Sequence, residues 1–326
     1  MLMYIYLVVG FVFLLGGAEI VVRGGVGLAE RLGVSKMAIG MTVIAFGTSA
    51  PELIVSLNAS LNGSPGIAVG NLVGSNVANI LLILGVSGLI LPIVSSSRAL
   101  TIDGWVLLIG TISFLAISYD GMLELYEGSL LLIMFSGFLF YTYIRETRGL
   151  TENSPSHYEN EVNELAVVPH TFWLAILLLI IGFIFLIVGS ELLVKGGVEI
   201  ARSFNVSEAA IGLTILAFGT SLPELAASVI AAYRRHTDLA LGNVVGSNIF
   251  NIVGILGLIS VVSPMDVPSR IVSFDMWIMV VATLMLTPFL IGNQGSIGRV
   301  AAGIYLLAYL VYITAIGYGI ESFRWY

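Results

Sequence analysis

The sequence predicts an all-α integral membrane protein with ten transmembrane helices, arranged as two inverted repeats of five helices each. One observation is composition: hydrophobic residues make up 58% of the 326 residues and charged residues only 10%, whereas soluble domains carry about 25% charged residues. A second is that apolar runs of about 20 residues, the length of a membrane-spanning helix, recur along the whole chain. The third is a long internal repeat that relates the two halves of the chain.

The apolar runs place the predicted spans in chain order. In the first half they lie near residues 3–22, 36–60, 66–91, 104–119 and 127–144, and in the second half near residues 171–193, 208–232, 239–262, 272–290 and 299–320. A polar stretch between the halves is interpreted as a linker. The chain therefore divides into a first repeat over 1–144, a cytoplasmic linker over 145–169 and a second repeat over 170–326.

The internal repeat determines how the two halves are oriented. Residues 40–85 align without a gap with residues 212–257, and about half of the aligned positions are identical, which indicates a duplication. Because five is an odd number, the second half enters the membrane from the opposite side, with a two-fold axis in the membrane plane. With the N-terminus outside, nine of the 13 Lys and Arg residues fall in cytoplasmic loops and four outside, so we expect both termini outside.

A proline interrupts the second predicted span of each half, in the motifs GTSAPE (47–52) and GTSLPE (219–224). Proline has no N–H to donate and clashes with the carbonyl four residues back. We therefore expect each helix to break and to leave carbonyls near 45–48 and 217–220 without helical partners. In a membrane such backbone is tolerated where it lines a cavity or is buried in protein. Carbonyl and hydroxyl oxygens beside a carboxylate are hard ligands, suited to Na⁺ or Ca²⁺.

Each copy of the repeat carries one carboxylate within an otherwise apolar segment, at Glu52 and Glu224. A charged side chain near the bilayer centre costs about 2.5–3.5 kcal/mol on insertion scales. Two such residues at matching positions, each following a proline, indicate a functional site, and the two-fold axis would bring them together at the midplane. By contrast, Glu19 and Glu191 each precede a basic residue by four positions, the favourable order for a helical ion pair, and we interpret them as structural.

Further polar residues share helix faces with the two carboxylates, because side chains three or four residues apart lie on one face of a helix. In the spans that carry the carboxylates they are Thr48, Ser49 and Ser56, repeated as Thr220, Ser221 and Ser228; in the following spans they are Asn71, Ser75 and Asn79, repeated as Asn243, Ser247 and Asn251. A single hydroxyl or amide in a membrane helix more often serves packing. The complete set around each carboxylate indicates a cation site.

The paired motifs resemble those of a known family of membrane proteins. GTSAPE and GTSLPE, followed by GSNVAN and GSNIFN, are similar to the two α-repeats of the cation/Ca²⁺ exchanger superfamily, in particular its prokaryotic Na⁺/Ca²⁺ antiporters. The resemblance covers essentially the whole chain. It implies that the second, third, seventh and eighth spans hold the transported ions, while the first and sixth spans slide across them to alternate access.

The resemblance also implies a set of ion ligands. They are the side chains of Thr48, Ser49, Glu52, Ser75 and Asn79 in the first half and of Thr220, Ser221, Glu224, Ser247 and Asn251 in the second, with the carbonyls of Ala45 and Ala217 as further Na⁺ ligands. Ca²⁺ would lie between the two glutamates, and Na⁺ would use partly overlapping sites. Asn251 stands where K⁺-dependent relatives have Asp, which argues against K⁺ co-transport.

The resulting prediction is an antiporter that exchanges three Na⁺ for one Ca²⁺ by alternating access. It is not an enzyme, uses no cofactor, has no nucleic-acid partner and would work as a monomer in the cell membrane. The residues leave two alternatives open, a Ca²⁺/H⁺ antiporter on the same fold and a passive cation channel. An intramembrane enzyme is disfavoured because the chain has no cysteine and no HExxH motif, and none of its three histidines lies at a span centre.

Overall fold

The computed structural model describes residues 2–95, 98–147, 169, 171–204, 217–291 and 295–317. Within these residues the protein is almost entirely helical. The helices are α1 (Leu2–Leu32), α2 (Lys36–Thr48), α3 (Ala50–Leu61), α4 (Pro65–Ile90), α5 (Arg98–Ile117), α6 (Leu125–Thr147), α7 (Phe172–Ser203), α8 (Ala217–Thr220), α9 (Leu222–Tyr233), α10 (Thr237–Val262), α11 (Met276–Ile291) and α12 (Arg299–Gly317). A π-helical turn over Ile271–Asp275 leads directly into α11.

Seven helices of the described chain are long and apolar enough to cross a membrane: α1, α4, α6, α7, α10, α11 with its preceding turn, and α12. The helices α2 and α3 add an eighth if they form one span, which is bent by 44°. The other predicted spans coincide with shorter apolar helices, namely α5 and α9. The start of the predicted seventh span, over 208–216, and residues 148–168 of the predicted linker lie outside the described residues.

The helices α1 and α7 extend well beyond the spans predicted for them. The predicted spans ended near residues 22 and 193, whereas α1 continues to Leu32 and α7 to Ser203. The two helices pack on each other with their backbones close together. A Cβ atom built at Gly17 would lie 2.8 Å from the backbone nitrogen of Leu186, and one built at Gly10 would lie 2.9 Å from the carbonyl oxygen of Gly189. Glycine at these positions therefore permits the close approach.

The buried side chains of the described residues form two hydrophobic clusters. One contains residues of α1, α7 and α9, including Val21, Leu179 and Ala227, together with residues of α2 and of the start of α10. The other contains the centres of α4 and α10 with α11 and α12, including Ile83 and Ile252. The pair of α1 and α7 therefore packs against α9 and parts of α2 and α10, in a cluster separate from the one that contains the centres of α4 and α10.

In the part of the chain that the structure describes, four short strands that were not predicted from the sequence join the loops of the two halves. They are β1 (Ile93–Ser95), β2 (Met122–Leu123), β3 (Met265–Asp266) and β4 (Gly295–Ile297). The strand β1 pairs antiparallel with β4, with Ile93 opposite Ile297. The strand β2 pairs antiparallel with β3, with Leu123 opposite Met265.

The prolines break the helices in the predicted region. Ser49 separates α2 from α3 with φ −83° and ψ 6°, and Ser221 separates α8 from α9 with φ −87° and ψ 2°. Pro51 and Pro223 then lie in the first turn of the following helix, where a missing N–H is tolerated. The two halves of the chain thus contain the same backbone break at matching positions.

Candidate ion-binding site

The two predicted carboxylates lie at the first turns of α3 and α9, and both side chains are 0% exposed. Each carboxylate accepts a hydrogen bond from the other half of the chain. The Ser49 hydroxyl donates to Glu224 Oε1 at 2.8 Å. The Ser221 hydroxyl is 3.3 Å from Glu52 Oε1, which also accepts from Ser75 at 3.2 Å. The structure therefore brings these predicted ligands together across the two halves.

The predicted threonines and the first asparagine of each following span form a second pair of matching contacts. The Thr48 hydroxyl donates to Asn243 Oδ1, and the Thr220 hydroxyl donates to Asn71 Oδ1, both at 3.2 Å. The amides in turn donate back to α3 and α9. Asn71 donates to Ser56 at 3.0 Å, and Asn243 donates to the equivalent serine of α9 at 2.9 Å. This symmetry places α4 against α8 and α10 against α2.

The last asparagine of each motif is paired with an asparagine that the sequence analysis did not select. Asn79 donates from Nδ2 to Asn248 Oδ1 at 3.0 Å, and Asn251 donates from Nδ2 to Asn76 Oδ1 at 3.0 Å. Asn79 begins a π-helical turn in α4, and Asn251 lies within another in α10. Such turns occur frequently at functional sites. The repetition of GSN in both halves was the signal that could have identified the additional pair.

Several buried oxygens of this network have no hydrogen-bond donor in the described chain. They are Glu52 Oε2, Glu224 Oε2, Asn79 Oδ1, Asn251 Oδ1 and Ser247 Oγ. An unsatisfied buried acceptor costs about 1–3 kcal/mol, and more if it is charged. Carboxylate, amide and hydroxyl oxygens are all ligands of Na⁺ and Ca²⁺, so these atoms are candidates to bind cations.

The described residues contain no group of three or more His, Cys, Asp or Glu side chains that could hold a metal ion. Any cation at this position would therefore be bound by the two carboxylates together with neutral oxygens. Neutral amide, hydroxyl and carbonyl oxygens are typical ligands of hard cations, whereas transition metals favour imidazole and thiolate. The composition of the network thus fits an alkali or alkaline-earth cation.

The freed-carbonyl prediction is wrong for Ala45. Its carbonyl keeps a helical bond to the Ser49 N–H at 3.0 Å and also lies 3.4 Å from the Thr48 hydroxyl. This is because the proline lies six residues further along and the helix breaks only at Ser49. In the second half, the carbonyl of Gly219, four residues before the proline, accepts a 2.6 Å bond from Ser190 of α7. Ala217, the other predicted carbonyl ligand, is the first residue of α8.

The acidic residues predicted to be structural do form ion pairs. Glu19 lies 2.7 Å from Arg23, as predicted, and also 2.8 Å from Arg234, which directly follows α9. Glu191 lies 3.9 Å from Lys195, and both side chains are more than half exposed. The contact with Arg234 links α1 to the end of α9, and sequence spacing could not predict it because the two residues are far apart in the chain.

An ion pair and a histidine were also not selected from the sequence. Asp103 of α5 and Arg145 of α6 form a buried ion pair at 2.9 Å. His236 lies in the loop between α9 and α10, and its pKa is lowered to about 4 by burial and by the neighbouring Lys36 and Arg234 cations. This histidine is therefore neutral at physiological pH and is not part of the oxygen network.

Comparison with known proteins finds relatives that are named as an antiporter or as sodium/calcium exchangers. Residues 2–144 and 174–318 match the family model described as sodium/calcium exchanger protein. The chain is 37% identical to the putative antiporter CaxA of Alkalimonas amylolytica, over 94% of this chain and 96% of that one. It is 30% identical to the sodium/calcium exchanger MaX1 of Methanosarcina acetivorans, over 97% and 98%. The solved structure of the sodium-calcium exchanger NCX_Mj, soaked with 2.5 mM Na⁺ and 0.1 mM Ca²⁺, matches with TM-score 0.83 and 34% identity over 99% of both chains.

Proposed function

Because the chain belongs to the sodium/calcium exchanger protein family, we propose that it exchanges Na⁺ for Ca²⁺ across the cell membrane at a site between Glu52 and Glu224. One observation carries the proposal. Both carboxylates are fully buried, and each has one oxygen held by a serine of the opposite half and one oxygen without a donor in the described chain. Asn79 and Asn251 add amide oxygens that also lack donors there. The arrangement is a set of oxygen ligands suited to a cation.

The charge of the site explains how two different ions would compete for it. Two ionised glutamates carry a charge of about −2, which one Ca²⁺ or two Na⁺ neutralise. Desolvation makes an uncompensated charge costly in a buried site. Ca²⁺ and a pair of Na⁺ therefore satisfy the same electrostatic requirement, and binding of one excludes the other.

A third Na⁺ bound by neutral oxygens would make the exchange electrogenic. The hydroxyls of Thr48 and Thr220 are candidate ligands for it. A tenfold Na⁺ gradient is worth about 1.4 kcal/mol per ion, so two Na⁺ would sustain only about a 100-fold Ca²⁺ gradient. Three Na⁺ and one net charge at about 2.3 kcal/mol per 100 mV would supply about 6.5 kcal/mol, enough for a gradient of about 10⁴ to 10⁵. We propose the ratio of three to one; a reversal potential that does not respond to membrane voltage would exclude it.

We further propose that the chain forms ten spans in two inverted repeats and works by alternating access, with both termini outside and the monomer as the functional unit. The matching contacts of the two halves and the matching breaks at Ser49 and Ser221 support the inverted repeat. Buried apolar contacts, which are non-directional, join α1 and α7 to α2, α9 and α10, and this supports a sliding motion. In this scheme α1 and α7 move together across α2, α3, α4, α8, α9 and α10 and expose the site to one side at a time.

The decisive experiment is ⁴⁵Ca²⁺ uptake into proteoliposomes loaded with Na⁺ and diluted into Na⁺-free buffer. Matched vesicles are loaded with K⁺, or carry a pH gradient without Na⁺. The proposal predicts uptake only with internal Na⁺. Uptake driven by the pH gradient alone would replace Na⁺ by H⁺ as the counter-ion, and uptake that neither saturates nor needs a counter-ion would indicate a channel.

A further inference from the structure

Asn76 and Asn248 lie within the ion-site motifs but outside the proposed ligand set. They are 1% and 0% exposed. Each accepts, at its Oδ1 atom and at 3.0 Å, the amide N–H of the ligand asparagine from the other half: Asn76 from Asn251, and Asn248 from Asn79. The helices α4 and α10 are thus joined by a reciprocal pair of side-chain amide bonds.

These bonds decide which atom each ligand asparagine can present to a cation. An asparagine amide has an oxygen that can bind a cation and an NH₂ group that cannot. In both Asn79 and Asn251 the NH₂ group is engaged and the Oδ1 atom has no donor in the described chain. Without a buried acceptor for its NH₂ group, the amide could rotate by about 180° at little cost, because oxygen and nitrogen have nearly the same shape.

Of the two orienting residues, Asn76 is itself anchored by a further hydrogen bond. The NH₂ group of Asn76 donates to the backbone carbonyl of Asn248 at 3.2 Å, which leaves the Asn76 oxygen free to accept. The NH₂ group of Asn248 has no partner among the residues that the structure describes, and the Asn248 side chain is held through its Oδ1 atom by Asn79. On the ligand side, the Asn251 NH₂ group also lies 3.4 Å from the Ser75 hydroxyl, which donates to Glu52. This amide therefore lies beside the carboxylate.

We propose that Asn76 and Asn248 are positioning residues of the ion site. Each holds the ligand asparagine of the other half so that its oxygen, and not its nitrogen, is available to the cation. The inference rests on the proposed exchange function. It also means that neither half can complete its own ligand set, because each Asn oxygen is oriented from the opposite repeat.

The test removes the acceptor oxygens and measures equilibrium binding of ⁴⁵Ca²⁺ to purified protein in nanodiscs. Asn76→Leu and Asn248→Leu should each weaken Ca²⁺ binding by about 10- to 100-fold, the usual effect of losing a partner that orients a metal ligand. The KM for Ca²⁺ uptake should rise by the same factor, with kcat largely retained. Ser87→Ala, which changes a buried side chain of α4 outside the network, is the matched control.

A comparison in two backgrounds separates orientation from mere packing, because in Asn79→Asp both terminal oxygens can bind a cation and no orienting partner is needed. Asn248→Leu should therefore weaken Ca²⁺ binding at least about tenfold less in the Asn79→Asp background than in the wild-type background. Equal losses in the two backgrounds would overturn the inference, as would Leu variants that bind Ca²⁺ like wild type. If a Leu variant does not fold, Asn76→Ala and Asn248→Ala remove the same oxygens with less bulk. Wild-type protein that binds no Ca²⁺ would overturn the proposed function as well.

Discussion

Replacing Glu224 by Gln removes one charge from the site with almost no change in shape. The amide oxygen of the substituted side chain can still accept the 2.8 Å bond from Ser49, and the position of Oε2 has no donor in the described chain to lose. The substitution also relieves the repulsion between two buried carboxylates. We therefore expect the ion-free variant to be at least as stable as wild type, while ion binding is lost.

The expected loss of ion affinity follows from the burial of the Glu224 carboxylate, whose exposure is 0%. Two unit charges about 4 Å apart attract by about 4 kcal/mol at an effective dielectric constant of about 20, and a divalent ion doubles this. Affinity changes tenfold per about 1.36 kcal/mol. Losing the attraction to Na⁺ therefore corresponds to about a thousandfold loss of affinity, and losing the attraction to Ca²⁺ corresponds to a larger loss. We expect Ca²⁺ affinity to fall by at least about a thousandfold, which leaves no measurable exchange.

The assay is Na⁺-driven ⁴⁵Ca²⁺ uptake into proteoliposomes, together with thermal unfolding of the purified protein without ions. Glu52→Gln should behave in the same way. Glu191→Gln is the matched control, because its side chain is 65% exposed in a loose pair with Lys195, and it should transport like wild type. Uptake by Glu224→Gln within tenfold of wild type would refute the reasoning. An ion-free variant that unfolds at a lower temperature than wild type would refute it too.

Three more predictions can be checked by thermal unfolding. A Cβ atom at Gly246 would overlap the backbone of α2, so Gly246→Ala should lower the free energy of unfolding by about 1–3 kcal/mol. A Cβ atom at Gly303 would enter open space, so Gly303→Ala should leave the free energy of unfolding unchanged or raise it by up to about 1 kcal/mol. Equal effects of the two variants would contradict this packing. Glu19→Gln should lower the free energy of unfolding by about 1 kcal/mol at low salt, because it weakens the ion pairs of Glu19 with two partly exposed arginines. A loss no larger than that of Glu191→Gln would argue against a stabilising role of these ion pairs. The pKa of His236 is about 4 in the folded state and about 6.5 in the unfolded state, so the protein should lose stability as the pH falls from about 6.5 to about 4. His236→Gln should lose less stability than wild type over this pH range, and equal losses would show that His236 does not cause the pH dependence.

Much of the site could be predicted from local sequence. The two glutamates stand out because a carboxylate is costly inside an apolar span, and the prolines predicted the breaks that Ser49 and Ser221 show. The pairing of Asn76 with Asn251 could not be predicted, because it joins residues of different helices. The retained helical bond of Ala45 was also missed, since proline disturbs the backbone only over the turn that precedes it.

By itself the sequence determined that this chain is a helical membrane protein, that its halves are duplicates and which carboxylates are functional candidates. These properties depend on hydrophobic length, repetition and the cost of charge in an apolar segment, all of which are local. Only the tertiary structure decided which oxygens of the described chain remain without donors, that Ser49 reaches Glu224, and that Glu19 ties α1 to the end of α9 through Arg234. The physical reason is that hydrogen bonds and ion pairs form over about 3 Å between residues distant in sequence, so packing chooses the partners.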